Sequence, residues 1–205
     1  MTCAMKDADV RPPLMRLLEE TYPEARVLPE LGLEYGLVRV DVAALSPACL
    51  HGFEVKADSD TLRRLPTQAA CYSAVLDRCT LVAGARHLER GQALVPGWWG
   101  LVLARPGPDG VTLEEVRPAA NNPSPNAGAT LRLLWRAELL ALLEEAGAAR
   151  GLRSAGKARL LARLVEMLPG DVLRARVRQV VCARGDWRRE ANAPSACLPS
   201  AEVRP

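Results

Sequence analysis

A chain of 205 residues, 49% hydrophobic and 25% charged, holds enough apolar material for one core plus a helical appendage, in the proportions of a globular protein. Its most apolar window, "ALVPGWWGLVLA" at 93–104, is broken by Pro96 and Gly97 and is too short to cross a bilayer. No signal peptide opens the chain, and six scattered cysteines without a CxxC pair, beside two histidines, argue against a zinc site or a disulfide scaffold. A reducing, cytoplasmic setting without membrane contact is the expectation.

The net charge of +3 conceals an asymmetry: residues 1–128 carry 13 Lys/Arg against 16 Asp/Glu, and residues 129–190 carry 13 against 7. Either a polyanion-facing surface or an arginine-decorated, solvated helical face explains this.

In chain order, a disordered start precedes "RPPLMRLLEETYPE", whose prolines suit a helix N-terminus. "ARVLPELGLEYG" reads as extended and loop-like. "LVRVDVAAL" (37–45) and "LHGFEVK" (50–56) read as a hairpin across "SPAC". "TQAACYSAVLD" (67–77) has helical periodicity, "RCTLVAGA" (78–85) reads as a buried strand, and "RHLERGQALV" (86–95) as a short helix. Strands "WWGLVLAR" (98–105) and "VTLEEVR" follow, separated by the turn "GPDG". The predicted organisation is a core over 1–117, a Pro/Asn/Gly-rich linker over 118–129, a basic helical domain over 130–189 and a disordered tail over 190–205. Three helices are predicted in that domain: "TLRLLWRAELLALLEEAG", "KARLLARLVEMLP" and "DVLRARVRQVVCARGDW".

Within the hairpin, a turn centred between Pro47 and Ala48 sets Asp41 opposite Glu54, with Lys56 on the same face. Val40, Val42, Phe53 and Val55 are assigned to the other, apolar face. Opposed carboxylates repel unless a cation joins them, and oxygen ligands in this number suit Mg²⁺, which leaves positions for water and phosphate. A lysine alongside can orient or deprotonate an attacking water. The same three residues also suit a surface hairpin in which Lys56 neutralises one acid.

Asp41, then "EVK" at Glu54–Lys56, then "QAACY" at Gln68–Tyr72 resembles the PD-(D/E)XK nuclease superfamily, and more closely its RecB-like branch with a QxxxY helix. Residues 26–105 carry the likeness, which extends to uncharacterised predicted nucleases of bacteria and phages. The "PD" proline is absent, with Val40 before Asp41. The resemblance implies an α/β, restriction-endonuclease-like mixed central sheet flanked by helices. It also implies a metal-dependent nuclease acting on DNA with Mg²⁺ or Mn²⁺, in repair, recombination or phage DNA processing. On that pattern Asp41, Glu54 and the Val55 carbonyl hold the metal, Lys56 activates water, and Gln68 and Tyr72 steady the substrate or the lysine. An upstream acid, usually from a helix, completes such sites. Glu30 is favoured here over Glu19, Glu20 and Glu34.

Arg63 and Arg64 precede the QxxxY helix and are candidates for phosphate contacts, unless they are merely solvated beside the capping acids Asp58 and Asp60. Trp98 and Trp99 are assigned to the core, and His51 and His87 to no chemistry. The C-terminal helices loosely resemble a SAP-type DNA-binding unit with Arg150, Arg153, Lys157 and Arg159 as its basic residues. A helical hairpin that packs on the core or forms a homodimer is the other reading. No GxxxxGK loop is present, so no nucleotide cofactor is expected. A catalytically silent DNA-binding or adaptor protein and an RNA-processing endonuclease remain as rivals.

Overall fold

A computed structural model describes residues 4–185. Six strands form one mixed sheet in chain order: β1 (Arg26–Leu33), β2 (Val38–Leu45), β3 (Leu50–Lys56), β4 (Arg78–Gly84), β5 (Gly100–Gly107) and β6 (Gly110–Arg117). The β1–β2, β2–β3 and β5–β6 pairs are antiparallel, while β3–β4 and β4–β5 are parallel. Parallel neighbours require crossovers. These are supplied by α2 (Leu65–Val75) and α3 (Ala85–Gln92).

One face of the sheet is covered by α1 (Asp7–Thr21), whose Val10, Leu14 and Leu18 pack with Val42, Phe53, Val55 and Val82. The other face meets α2 and the C-terminal helices α4 (Ala127–Leu131), α5 (Arg136–Glu145), α6 (Lys157–Met167) and α7 (Gly170–Ala183) in one continuous apolar cluster. Gly52 allows this layer to close, because a Cβ there would lie 2.4 Å from Leu76 Cδ1.

Several expectations need correction. The first helix starts at Asp7, so Pro12 and Pro13 lie inside it. The start is tolerated because Asp9 accepts the Lys6 amide at 2.8 Å. The segment read as loop-like is β1, with Pro29 and Gly32 paired to β2 in a register interrupted only at Glu30. The first C-terminal helix is two, α4 and α5, broken at 132–135. Both tryptophans precede β5, with Trp99 fully buried and Trp98 packed on the core.

The segment 118–126 crosses the core as a hydrogen-bonded strap. The Asn122 side chain donates to the Ser73 and Leu76 carbonyls, and its amide donates to the Asp77 carbonyl at 2.8 Å. Thr130 Oγ1 then donates to the Val75 carbonyl. The predicted tail over 190–205 lies outside the described residues. Among the described residues, no helix is long and apolar enough to cross a membrane.

Candidate functional site

The "SPAC" turn closes through reciprocal backbone hydrogen bonds between Ser46 and Cys49, which fixes the hairpin register. Leu45 pairs with Leu50 and Val42 with Phe53, the register that puts Asp41 next opposite Glu54. The ladder stops at that point. Side-chain alternation along β2 inverts there: Val42 belongs to the α1 layer, whereas Val40 belongs to the α2 layer. Val40 is therefore not on the face assigned from the sequence. The inversion coincides with an irregularity in β1, where Glu30, at the unpaired position across from Asp41, has a left-handed φ of 60°.

This break frees Asp41 from ordinary cross-strand packing. Its Oδ2 accepts the Val55 amide at 2.9 Å, and its Oδ1 accepts from Arg11 Nη2 at 2.9 Å. Amide and carbonyl of one strand residue point to the same side, so the Val55 carbonyl also faces the gap that β2 leaves. Glu54 is fully buried, with one oxygen on Lys56 Nζ and the other accepting from the Tyr72 hydroxyl. That hydroxyl also lies 2.7 Å from the Arg39 carbonyl, its alternative acceptor. Tyr72 is held by stacking on Trp99.

These groups line a cleft of about 320 Å³. Asp41, Glu54, Val55 and Lys56 form its floor, Arg64 and Gln68 come from the start of α2, Asp7 and Arg11 from α1, and Ser59, Asp60 and Thr61 from the connecting turn. Burial pushes the Glu54 carboxyl upward, as does the charge of Asp41, against the opposing pull of Lys56 and Tyr72. Burial also raises Asp41, partly offset by the Val55 amide and by Arg11. Burial and the neighbouring Glu54 hold the Tyr72 phenol firmly protonated. Gln68 Oε1 is buried and has no hydrogen-bond partner among the described residues, and Gln68 lines the cleft.

Of the sequence candidates, Asp41, Glu54, Val55, Lys56, Arg64 and Gln68 meet in this cleft, with Tyr72 beneath it. Arg63 is exposed and is not part of the lining. Glu30 is turned outward onto Arg39 at 3.2 Å, outside the lining, because the left-handed turn in its backbone carries it away. The helix-borne acid in the cleft is Asp7, which also accepts from Arg11 Nε at 2.6 Å. Sequence reasoning missed both residues, although the i, i+4 spacing of Asp7 and Arg11 marks one helical face.

His51 is buried against Phe53 and Thr80, and desolvation lowers its pKa to about 3, which keeps it neutral. His87 is also buried, and neither lines the cleft. Around α5 and α6, Arg150 of their connection shares a surface concavity with Arg159 and Arg163, and Arg150 and Arg153 line a second beside Glu144. Lys157 instead donates to the Arg132 carbonyl and lies 4.6 Å from the Tyr35 ring centre.

Among the described residues, no group of three or more His, Cys, Asp or Glu side chains is gathered for a metal. The oxygens lining the cleft are the carboxylates of Asp7, Asp41, Glu54 and Asp60, each already hydrogen-bonded within the chain, the Val55 carbonyl and the Gln68 amide oxygen. Such an all-oxygen set fits Mg²⁺, which typically takes one or two carboxylates and fills its octahedron with water and phosphate.

Fold and cleft together define an α/β protein with a six-stranded mixed sheet and a polar cleft where its central hairpin comes apart. The family model for bacteriophage P4 protein cII matches residues 11–190, and the chain belongs to that family. No curated protein and no solved structure matches it.

Proposed function

We propose that this protein is a metal-dependent nuclease of the PD-(D/E)XK type, with a restriction-endonuclease-like core, that hydrolyses phosphodiester bonds in DNA. The observation that carries the reading is the meeting of Asp41, Glu54, Val55 and Lys56 at one break in the sheet, with Arg64 and Gln68 over them. Burying charge is costly unless it is paired or put to use, and Glu54 is already paired with Lys56.

In this reading Asp41, Glu54 and the Val55 carbonyl hold Mg²⁺ or Mn²⁺. The bound cation would polarise a phosphoryl oxygen and make a bound water easier to deprotonate. Lys56 would orient the water as an ammonium held by Glu54, or, once deprotonated, take the water's proton as the neutral amine. Tyr72, locked as a phenol, fixes Glu54 by donating to its second oxygen. Gln68 Oε1 accepts from the water or from Lys56. Arg64 neutralises a phosphate without reading sequence. Membership of a bacteriophage family agrees with phage DNA processing as the setting, and a reducing cytoplasm with the cysteines' free state at Cys49, Cys71, Cys79 and Cys182.

One observation favours a second reading, a catalytically silent DNA-binding or adaptor protein. Arg11 already holds Asp41 Oδ1, where a cation would have to bind. Incubation with linear, circular, single-stranded and junction DNA, with Mg²⁺, with Mn²⁺ or with EDTA, separates the two. The nuclease reading expects scission that EDTA stops. DNA binding indifferent to EDTA, with no scission under either metal, supports the silent protein.

A further inference from the structure

The turn joining β1 to β2 presents apolar side chains where a folded chain ordinarily would not. Glu34, Tyr35 and Gly36 adopt consecutive left-handed φ values of 47°, 58° and 86°. Glycine takes that conformation freely, whereas glutamate and tyrosine are strained in it. Residues held in this way cluster at sites of binding and catalysis. The consequence is that Tyr35 is 63% exposed and Leu37 87% exposed, the two most exposed large hydrophobics described.

Their surroundings are cationic. Lys157 lies over the Tyr35 ring at 4.6 Å, while Arg132 and Arg39 hold the two nearby carboxylates, Glu34 and Glu30. Three cations thus stand against two acids. The turn also leads directly into the cleft. Arg39 offers its carbonyl to Tyr72, and Leu37 precedes Asp41 by four residues. At about 3.3 Å per strand residue this is roughly 13 Å, a few nucleotides of backbone.

We propose that this turn is a base-contacting wedge, in which Tyr35 and Leu37 meet unpaired bases of the strand whose phosphates run past Arg39 and Arg64 into the cleft. The substrate class is then DNA with an unpaired or opened segment beside the cut, rather than intact duplex. An aromatic ring steadied by a cation is a stacking platform for a base, and leucine is a residue that enters opened base steps. Two side chains fall far short of the roughly 800 Å² per partner of a stable protein interface, which argues against a second copy as the occupant. The inference rests on the nuclease reading of the cleft.

The test uses the full chain in EDTA, with fluorescein-labelled oligothymidylate, a splayed duplex and a blunt duplex as probes. Tyr35→Asn keeps a residue that tolerates left-handed backbone but removes the ring. Combined with Leu37→Ser, it is expected to weaken binding about tenfold on the first two probes and under about twofold on blunt duplex. A 2-aminopurine base in the splayed arm should be quenched by the wild type and not by the variant. Unchanged affinity, or equal loss on all three probes, overturns the wedge. Sedimentation showing a wild-type dimer that the variant loses also overturns it, because the patch is then a self-association surface. Wild-type protein that binds none of the probes and cuts no DNA defeats the nuclease reading as well. Metal-dependent cutting that survives while the variant binds like wild type defeats the wedge alone.

Discussion

Asp77 and Glu54 are both buried carboxylates facing cations, yet their surroundings differ in kind. Asp77 accepts the Leu50 amide at 2.8 Å, and both of its oxygens are held by Arg174 and Arg178 of α7. It joins the start of β3 to a helix about a hundred positions further along the chain. Glu54 has equally close partners, but a cleft opens beside it, a second raised carboxylate stands near, and a buried glutamine oxygen is left without a donor among the described residues. Burial of charge alone therefore does not mark a site. Unused hydrogen-bonding capacity alone does not mark one either, because Arg174 Nε beside Asp77 is also buried without a partner among the described residues. What distinguishes Glu54 is the cleft that opens beside it and the second raised carboxylate there.

Substitutions can break this comparison. The largest effect is expected at Lys56→Ala, which should lower metal-dependent cleavage by about 10²- to 10⁴-fold while leaving DNA affinity in EDTA near wild type. Single-turnover kinetics on a folded variant would reveal it, and cutting at the wild-type rate would reduce Lys56 to a counter-ion. Next comes Asp77→Ala, which leaves Arg174 and Arg178, side by side on α7, without their shared carboxylate. It should cost about 3–5 kcal/mol in urea unfolding. Cleavage by the fraction still folded should not change, and a catalytic defect there would erase the distinction between the two carboxylates.

Arg11→Ala sharpens the point from the cation's side. The guanidinium and a divalent ion seek the same Asp41 oxygen, so its removal should tighten Mn²⁺ binding about tenfold by calorimetry, in line with a charge-assisted hydrogen bond. Weaker binding would make Arg11 a support of the site instead.

A pH series gives a further contrast. Asp41 and Glu54 both hold protons more tightly in the folded chain than in the unfolded one. Their ionisation therefore opposes folding, and stability from these two groups should rise as pH falls from neutral towards their ordinary range near pH 4. Cleavage needs both ionised and should fall over the same interval. Parallel pH profiles of activity and urea midpoint would contradict the assignment. The smallest effect is expected from Arg150→Glu with Arg159→Glu. Losing two phosphate contacts should lower the slope of log K against log salt by about two units on duplex DNA.

Much of the cleft was legible in advance, for local reasons. A short turn with alternating flanks fixes a register, so Asp41, Glu54 and Lys56 follow from counting residues, and Gln68 with Tyr72 follows from helical spacing. Glu30 was misjudged because the inversion of strand alternation coincides with a single positive φ on a non-glycine residue, which no local pattern announces. Asp7 and Arg11 were missed because two prolines hid the helix that bears them, and only the tertiary fold brings α1 over β3. The arginine excess was also ambiguous in the sequence. Arg174 and Arg178 bind the α7 helix to the core, whereas Arg150 and Arg159 face outward.

The strap over 118–126 has a bearing on how this chain comes apart. Its Pro- and Asn-rich composition is that of a segment a protease would nick first, and the helices beyond it look like a cassette that recombination could exchange. Yet Asn122 fastens it to the end of α2, and the leucines of α5 and α6 share one apolar cluster with Tyr72 and Trp99. Pro123, Ser124 and Asn126 are exposed, so a cut there needs no opening of the layer, and the helices would stay attached through that cluster. One continuous cluster predicts that the helices and the cleft melt together in a single cooperative transition, whether or not the strap is cut.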